Sequence, residues 1–229
     1  MIRESVFFAV LISLGAYELG IMLKKKFKFA FFNPLLIAIV VVAAVLLFGH
    51  IDYETYSAGA KYLSYFLTPA TVCLAIPLYE QVEKLKRNWK AIFAGILSGV
   101  FTSMLCVLAM SLLFGLDHEM YVTLLPKSIT TAIGMGVAEE SGGIVAIAVA
   151  VIVVTGVFGN IVAEYVFKLF KIEEPVAKGI GLGTSSHAIG TAKAFEIGTT
   201  EGAMGSLSIA VAGVLTVIAA PLFAGFFSG

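Results

Sequence analysis

Six apolar runs, separated by short polar stretches, set the pattern of this chain: Ser5–Leu23, Phe31–Gly49, Ala58–Tyr79, Ala91–Leu116, Gly143–Phe167 and Gly205–Phe227. About 20 apolar residues carry a helix across the hydrocarbon core of a bilayer, so each run predicts a transmembrane helix. Two further stretches, Tyr121–Gly142 and Gly179–Gly202, are long enough for helices but too rich in Gly, Ser, Thr, Lys and Glu to face lipid. Irregular backbone at membrane depth is tolerated only where protein or a water-filled cavity covers it. These two stretches are therefore expected to dip into the membrane and return. The fold class that follows is an all-α integral membrane protein, with about six transmembrane helices plus two re-entrant or broken segments. It forms a single polytopic domain over residues 1–229, with N-terminal helices in 1–90 and the two polar dips, 121–142 and 179–202, in 91–229.

Composition agrees. Hydrophobic residues make up 59% of the 229, charged residues 13%, and the mean hydropathy is +1.00; a soluble domain is roughly 45–50% apolar and about 25% charged. Disorder, a collagen-like repeat and a secreted disulfide scaffold are excluded. With Lys+Arg 15 against Asp+Glu 15, no basic excess exists to hold a nucleic acid. The two cysteines, Cys73 and Cys106, lie in apolar runs and read as small core residues rather than a redox pair. The N-terminus lacks the order of a cleavable signal, because Arg3 is offset by Glu4 and the basic run follows the apolar one.

Basic residues set the orientation. Lys24, Lys25, Lys26 and Lys28, then Lys84, Lys86, Arg87 and Lys90, then Lys168, Lys171 and Lys178 fall in three connections; only Arg3, Lys61, Lys127 and Lys193 lie elsewhere. The connections His50–Glu54 and Asp117–Glu119 contain no Lys or Arg. The positive-inside rule places the three basic connections in the cytoplasm and both termini outside. If Tyr121–Ala138 crossed the membrane, the Lys168–Lys178 connection would fall outside, so a dip from the outer side fits better. The third run is irregular: it carries Lys61, Pro69 and Pro77, with Thr68 and Thr71 able either to satisfy carbonyls that the prolines free or to face a cavity. Asn33-Pro34 suits a helix start, and Gly95 with Gly99 suits close helix packing.

The dips resemble each other. Thr130–Gly143 (TTAIGMGVAEESGG) and Ser186–Thr199 (SHAIGTAKAFEIGT), 56 residues apart, are identical at Ala132/Ala188, Ile133/Ile189, Gly134/Gly190, Ala138/Ala194, Glu140/Glu196 and Gly142/Gly198. One full span separates the copies, so they are expected to enter from opposite sides. An inverted-topology repeat of this kind is how secondary transporters build a midplane site from discontinuous helices.

Candidate site residues come from the dips, because ionisable groups in a membrane usually line a pathway or pair internally. The first supplies Lys127, Ser128, Thr130, Thr131 and Glu140; the second supplies Ser185, Ser186, His187, Thr191, Lys193 and Glu196. Cations, hydroxyls and half-helix N-termini together suit a small carboxylate anion. Equally, Lys127, Lys193, Glu140 and Glu196 could be structural ion pairs that fix the broken helices. His187 could exchange a proton or be a hydrogen-bonded structural residue. Spacing for a metal site is lacking, since His50 and His118 are far in sequence from His187. The Gly179, Gly181, Gly183 run has no preceding strand to make a phosphate loop, and Ser185-Ser186-His187 are mere sequence neighbours, not a triad. No enzyme and no cofactor are expected.

FFNPLL (Phe31–Leu36), YFLTPATVCLAIPLYEQ (Tyr65–Gln81), LLPKSITTAIGMGVAEESGG (Leu124–Gly143) and GLGTSSHAIGTAKAFEIG (Gly181–Gly198) resemble the LrgB/CidB family. The likeness covers nearly the whole chain and is most specific in the dips. It implies a multi-pass protein of the bacterial cytoplasmic membrane, commonly acting with a small LrgA/CidA-type membrane partner and forming homo-oligomers such as dimers. It also implies one of two roles: a carrier of small monocarboxylates (pyruvate, lactate, or glycolate and glycerate, as in the similar plastid translocator), or a holin- or antiholin-like regulator of murein hydrolase export and autolysis.

Overall fold

Every regular element among the described residues is an α-helix. The structure, a computed structural model, describes residues 6–27, 32–66, 69, 72–73 and 75–227, with only the backbone of Val6, Pro77 and Leu78. Arg3, Glu4, Lys28, Thr68 and Thr71 lie outside the described residues. The chain divides into two units, Met1–Cys73 and Leu74–Gly229.

The first unit holds α1 (Val6–Phe27), α2 (Pro34–Phe48) and α3 (Tyr53–Ser64). Asn33 starts α2 as expected: its side chain accepts from the Leu35 and Leu36 amides at 2.9 and 3.2 Å, with Pro34 at the first helical position. A Cβ on Gly20 would lie 2.7 Å from the Pro34 backbone, so this glycine lets α1 and α2 touch. The Ser13 and Tyr56 hydroxyls, 2.9 Å apart, join α1 to α3.

The second unit holds α4 (Ala75–Glu80), α5 (Val82–Phe114), α6 (His118–Leu124), α7 (Thr131–Glu140), α8 (Val145–Leu169), α9 (Pro175–Ile197) and α10 (Thr199–Ala224). Four helices, α1, α5, α8 and α10, are long and apolar enough to cross a membrane, and this is a membrane protein. Six such helices are not reached among the described residues. With 15 residues, α2 is about 22 Å long at 1.5 Å per residue, short of the roughly 30 Å core. The run Ala58–Tyr79 is no single described helix, since α3 begins at Tyr53 and ends at Ser64. Much of the Glu80–Lys90 connection is also helical: α5 starts at Val82 and only Asn88 departs from helical geometry (φ −113°, ψ 15°). Its Lys, Glu, Leu and Arg are good helix formers, and they extend the apolar helix into a polar one.

Cys73 and Cys106 are exposed, not core residues. The same inversion puts Leu113, Val154 and Phe158 on the outside, each more than 60% exposed. Where the surroundings are lipid, apolar side chains have no reason to point inward. The interior is instead rich in small residues.

Two reversals shape the second unit. In α9, Ser186 (φ −133°, ψ 17°) and His187 (φ 41°, ψ −135°) leave helical geometry. A Cβ on Gly190 would sit 2.5 Å from the Leu182 carbonyl oxygen, whereas eight residues of continuous helix span about 12 Å. The arms 175–185 and 188–197 are thus folded against each other. Both lie on the first half of α10: Gly179 meets Glu201 and Met204, Gly183 meets Gly205 and Ser208, and on the way back Thr191 meets Gly205 and Phe195 meets Gly202.

The other reversal occupies residues 125–130, between α6 and α7. It lies on the second half of α10. The Tyr121 hydroxyl donates to the Phe223 carbonyl at 2.8 Å, Ile133 packs on Gly213, and Val137 and Glu140 border a groove with Val217, Pro221 and Ala224. Gly134 lies against the Pro126 carbonyl oxygen, 3.5 Å from its would-be Cβ, which repeats the Gly190–Leu182 contact 56 residues earlier. Both tips thus reach the middle of α10 from its two ends.

Candidate functional site

The tips converge on two neighbouring helices. Against α8, the second tip is pinned by His187, whose Nε2 is 2.9 Å from the Ile152 carbonyl oxygen. Ser186 packs on Gly159, and Asn160 donates to the Ile189 carbonyl at 3.1 Å. Gly134 of the first tip rests on the Ile152 side chain. One turn of α8 therefore holds both copies of the Ala-Ile-Gly sequence. Ile133 lies on Gly213 of α10 while Ile189 lies on Gly156 of α8, so each copy leans on the long helix that follows the other.

On the far side, between the tips, α5 and α10, lies a cavity of about 10 Å³, room for about one water molecule. Its wall includes Ser103 of α5, Ser128 of the first tip, Thr184 of the second and Thr216 of α10. The Ser103 and Ser128 hydroxyls are 2.9 Å apart, and the Lys127 ammonium donates to the Ser128 hydroxyl at 3.0 Å. Among the described residues no carboxylate pairs with Lys127. An ammonium with no carboxylate partner among the described residues, beside the Ser103 and Ser128 hydroxyls, is a chemical match for a small anion.

The remaining sequence-predicted residues do not join this cluster. Lys193 forms ion pairs with Glu164 at 2.5 Å and Glu196 at 3.2 Å, tying the end of α9 to α8. Glu140 is exposed near the C-terminal half of α10. Thr130 is the N-cap residue of α7 and Thr131 its first residue. Ser185 is exposed, with its hydroxyl 3.1 Å from that of Ser186. Thr191 is buried against Gly205, and its hydroxyl lacks a partner among the described residues. Sequence reasoning missed Ser103 and Thr216 because a lone hydroxyl in an apolar helix gives little signal. It missed Glu164 because this acid sits near the end of a predicted span. Thr184 was visible as a polar residue of the second dip, without a reason to single it out.

His187 carries a testable backbone constraint. Its φ of 41° is a conformation that glycine adopts freely and other residues adopt at a cost of about 1–3 kcal/mol. His187→Ala keeps that strain and loses the bond to Ile152; His187→Gly loses the bond but relieves the strain. The glycine variant is expected to melt above the alanine variant, in spite of removing more atoms, when both are followed by thermal unfolding in detergent. The reverse order would mean that the His187 conformation is not strained.

Comparison with known proteins shows the family. Residues 13–226 match the family model described as the LrgB-like family. The chain is 39% identical over 221 residues to proteins named antiholin-like protein LrgB from Bacillus cereus (strain B4264) and Bacillus anthracis (strain A0248), covering 96% of this chain and 96% of each relative. No solved structure gives a significant match. By the extent of both likenesses, this chain belongs to the LrgB-like family of membrane proteins.

Proposed function

We propose that this protein is a secondary carrier or facilitator for small monocarboxylates of the pyruvate, lactate and glycolate or glycerate type, built on an inverted-topology repeat. The observation that carries the reading is Lys127, an ammonium with no carboxylate partner among the described residues, at the junction of two opposed chain reversals. The repeat is supported by element bounds. Adding 56 to the start of α6 and to both ends of α7 and α8 reproduces, to within two residues, the start of α9, the bounds of its second arm and those of α10. It is supported further by the crossed Ile133–Gly213 and Ile189–Gly156 contacts, since a two-fold relation exchanges partners in this way. Opposed half-helices around a midplane site are the architecture of alternating access. No catalytic chemistry is assigned to the protein.

The orientation proposed for it is that of the basic connections: cytoplasmic Lys84–Lys90 and Lys168–Lys178, with both termini outside. In a variant lacking Cys73 and Cys106, a cysteine at Asn88 should react with an impermeant thiol reagent only in opened or inverted vesicles. Reaction at Asn88 from the outer side alone would overturn the arrangement.

A second reading is favoured by the names of the relatives: an antiholin-like membrane protein, acting on murein hydrolase export and autolysis. A homo-oligomer, such as a dimer, and a small LrgA/CidA-type partner are compatible with both. Uptake of labelled pyruvate, lactate and glycolate into proteoliposomes, with and without such a partner, separates them. The carrier is expected to give saturable uptake with mutual competition and no leakage of a trapped dye. Dye leakage, or no uptake even with the partner, would leave the antiholin-like role as the function.

A further inference from the structure

We propose that Thr184, held against Gly99, is the inner gate of an access path along the groove between α5 and the first arm of α9. The proposal rests on the carrier reading only for the identity of what passes, a small carboxylate; the path and its gate stand on geometry. The groove has a volume of about 480 Å³, with Asn88 and Glu174 among its lining residues at the basic end of the unit. Its walls are Ala91, Gly95 and Gly99 on α5 and Ala177, Gly181 and Thr184 on α9. The α5 residues recur every four positions, so they share one helix face, and the next position on that face is Ser103.

Thr184 belongs to two spaces at once. It lines the inner end of the groove and also the wall of the small cavity bordered by Ser103, Ser128 and Thr216. At that point the helices close: a Cβ on Gly99 would lie 2.8 Å from the Thr184 hydroxyl oxygen and 3.0 Å from its Cβ. The Thr184 hydroxyl donates to the Ile180 carbonyl at 2.8 Å, which fixes its rotamer with the side chain across the gap. The groove therefore narrows where Ile180 packs on Gly95 and ends at the buried Thr184 side chain, with the Lys127–Ser128–Ser103 cluster behind it. The small cavity admits about one water, so a carboxylate advances from the groove only if Thr184 and Gly99 separate.

The test uses single cysteines in the full-length protein with Cys73 and Cys106 replaced by serine. Ala177→Cys lies before the gate and Ser103→Cys behind it. A small membrane-impermeant methanethiosulfonate reagent is added from the side where Asn88→Cys reacts. Ala177→Cys is expected to react at least tenfold faster than Ser103→Cys. Adding Thr184→Ala, or the milder Thr184→Ser should the alanine variant fail to fold, is expected to speed Ser103→Cys several-fold and leave Ala177→Cys unchanged. Thr184→Val keeps the shape and loses the hydroxyl, and should keep Ser103→Cys protected. The gate is overturned if Ala177→Cys does not react, if Ser103→Cys reacts equally fast behind an intact Thr184, or if shrinking Thr184 leaves its rate unchanged. Because labelling needs no transport, a gate that passes these tests in a protein without carboxylate uptake would refute the carrier and keep the path.

Discussion

Gly183→Ala and Gly190→Ala are each expected to cost the protein most of its stability, seen as lost monodispersity or a large fall in melting temperature in detergent. A Cβ at Gly183 would stand 2.5 Å from the Gly205 carbonyl oxygen and 2.7 Å from Ser208 Cβ; one at Gly190 would stand 2.5 Å from the Leu182 carbonyl oxygen and 2.6 Å from Ser186 Cβ. In each case backbone stands in the way, and it cannot rotate aside as a long side chain could. Overpacking typically costs about 1–3 kcal/mol and more where nothing relaxes. Here relief would require the α9 arm to leave α10, or the two arms to leave each other. Gly181 is the internal control. It lies on the same helix with nothing within 4 Å of its would-be Cβ, so Gly181→Ala should be neutral or gain about 0.5–1 kcal/mol of helix propensity. If all three alanine variants melt alike, the arms of α9 do not pack closely on α10 and on each other.

Those glycines also mark what could be read without coordinates. The repeat of Ala-Ile-Gly with a glutamate six residues after the glycine is a local pattern, and it pointed to the two places where the chain turns back. It could do so because close approach of two backbones requires glycine wherever it occurs. The long apolar runs led to α1, α5, α8 and α10 for an equally simple reason, the thickness of a bilayer. Burial was less legible. Cys73 and Cys106 sit in apolar runs, which suggests core positions, yet both are exposed, because hydropathy does not distinguish a lipid-facing side chain from a protein-facing one. Partnering was the least legible. Lys127 and Lys193 occupy comparable polar stretches, and only the fold places Glu164 within reach of one of them.

That difference separates the two lysines in a transport measurement. Lys127→Ala is expected to lower monocarboxylate uptake at least tenfold while leaving the protein folded. A charge-assisted hydrogen bond is worth about 1.5–3 kcal/mol, and each 1.4 kcal/mol is about tenfold in affinity. Since no carboxylate pairs with Lys127 among the described residues, its removal strands no buried acid. Lys127→Arg should retain part of the activity, because the charge persists while the short reach to Ser128 changes. Lys193→Ala removes a cation already shared by Glu164 and Glu196, acids that are each about half exposed (55% and 49%). Water can take over their solvation, so a small loss of stability and little change in uptake are expected. Asp52→Asn, at the start of α3 and without a side-chain capping bond, is the neutral reference. Uptake by purified, monodisperse variants in proteoliposomes decides the matter. A well-folded Lys127→Ala that transports like the parent would remove the anion site from the tip junction. The antiholin-like role would then stand as the better account of the buried polar cluster.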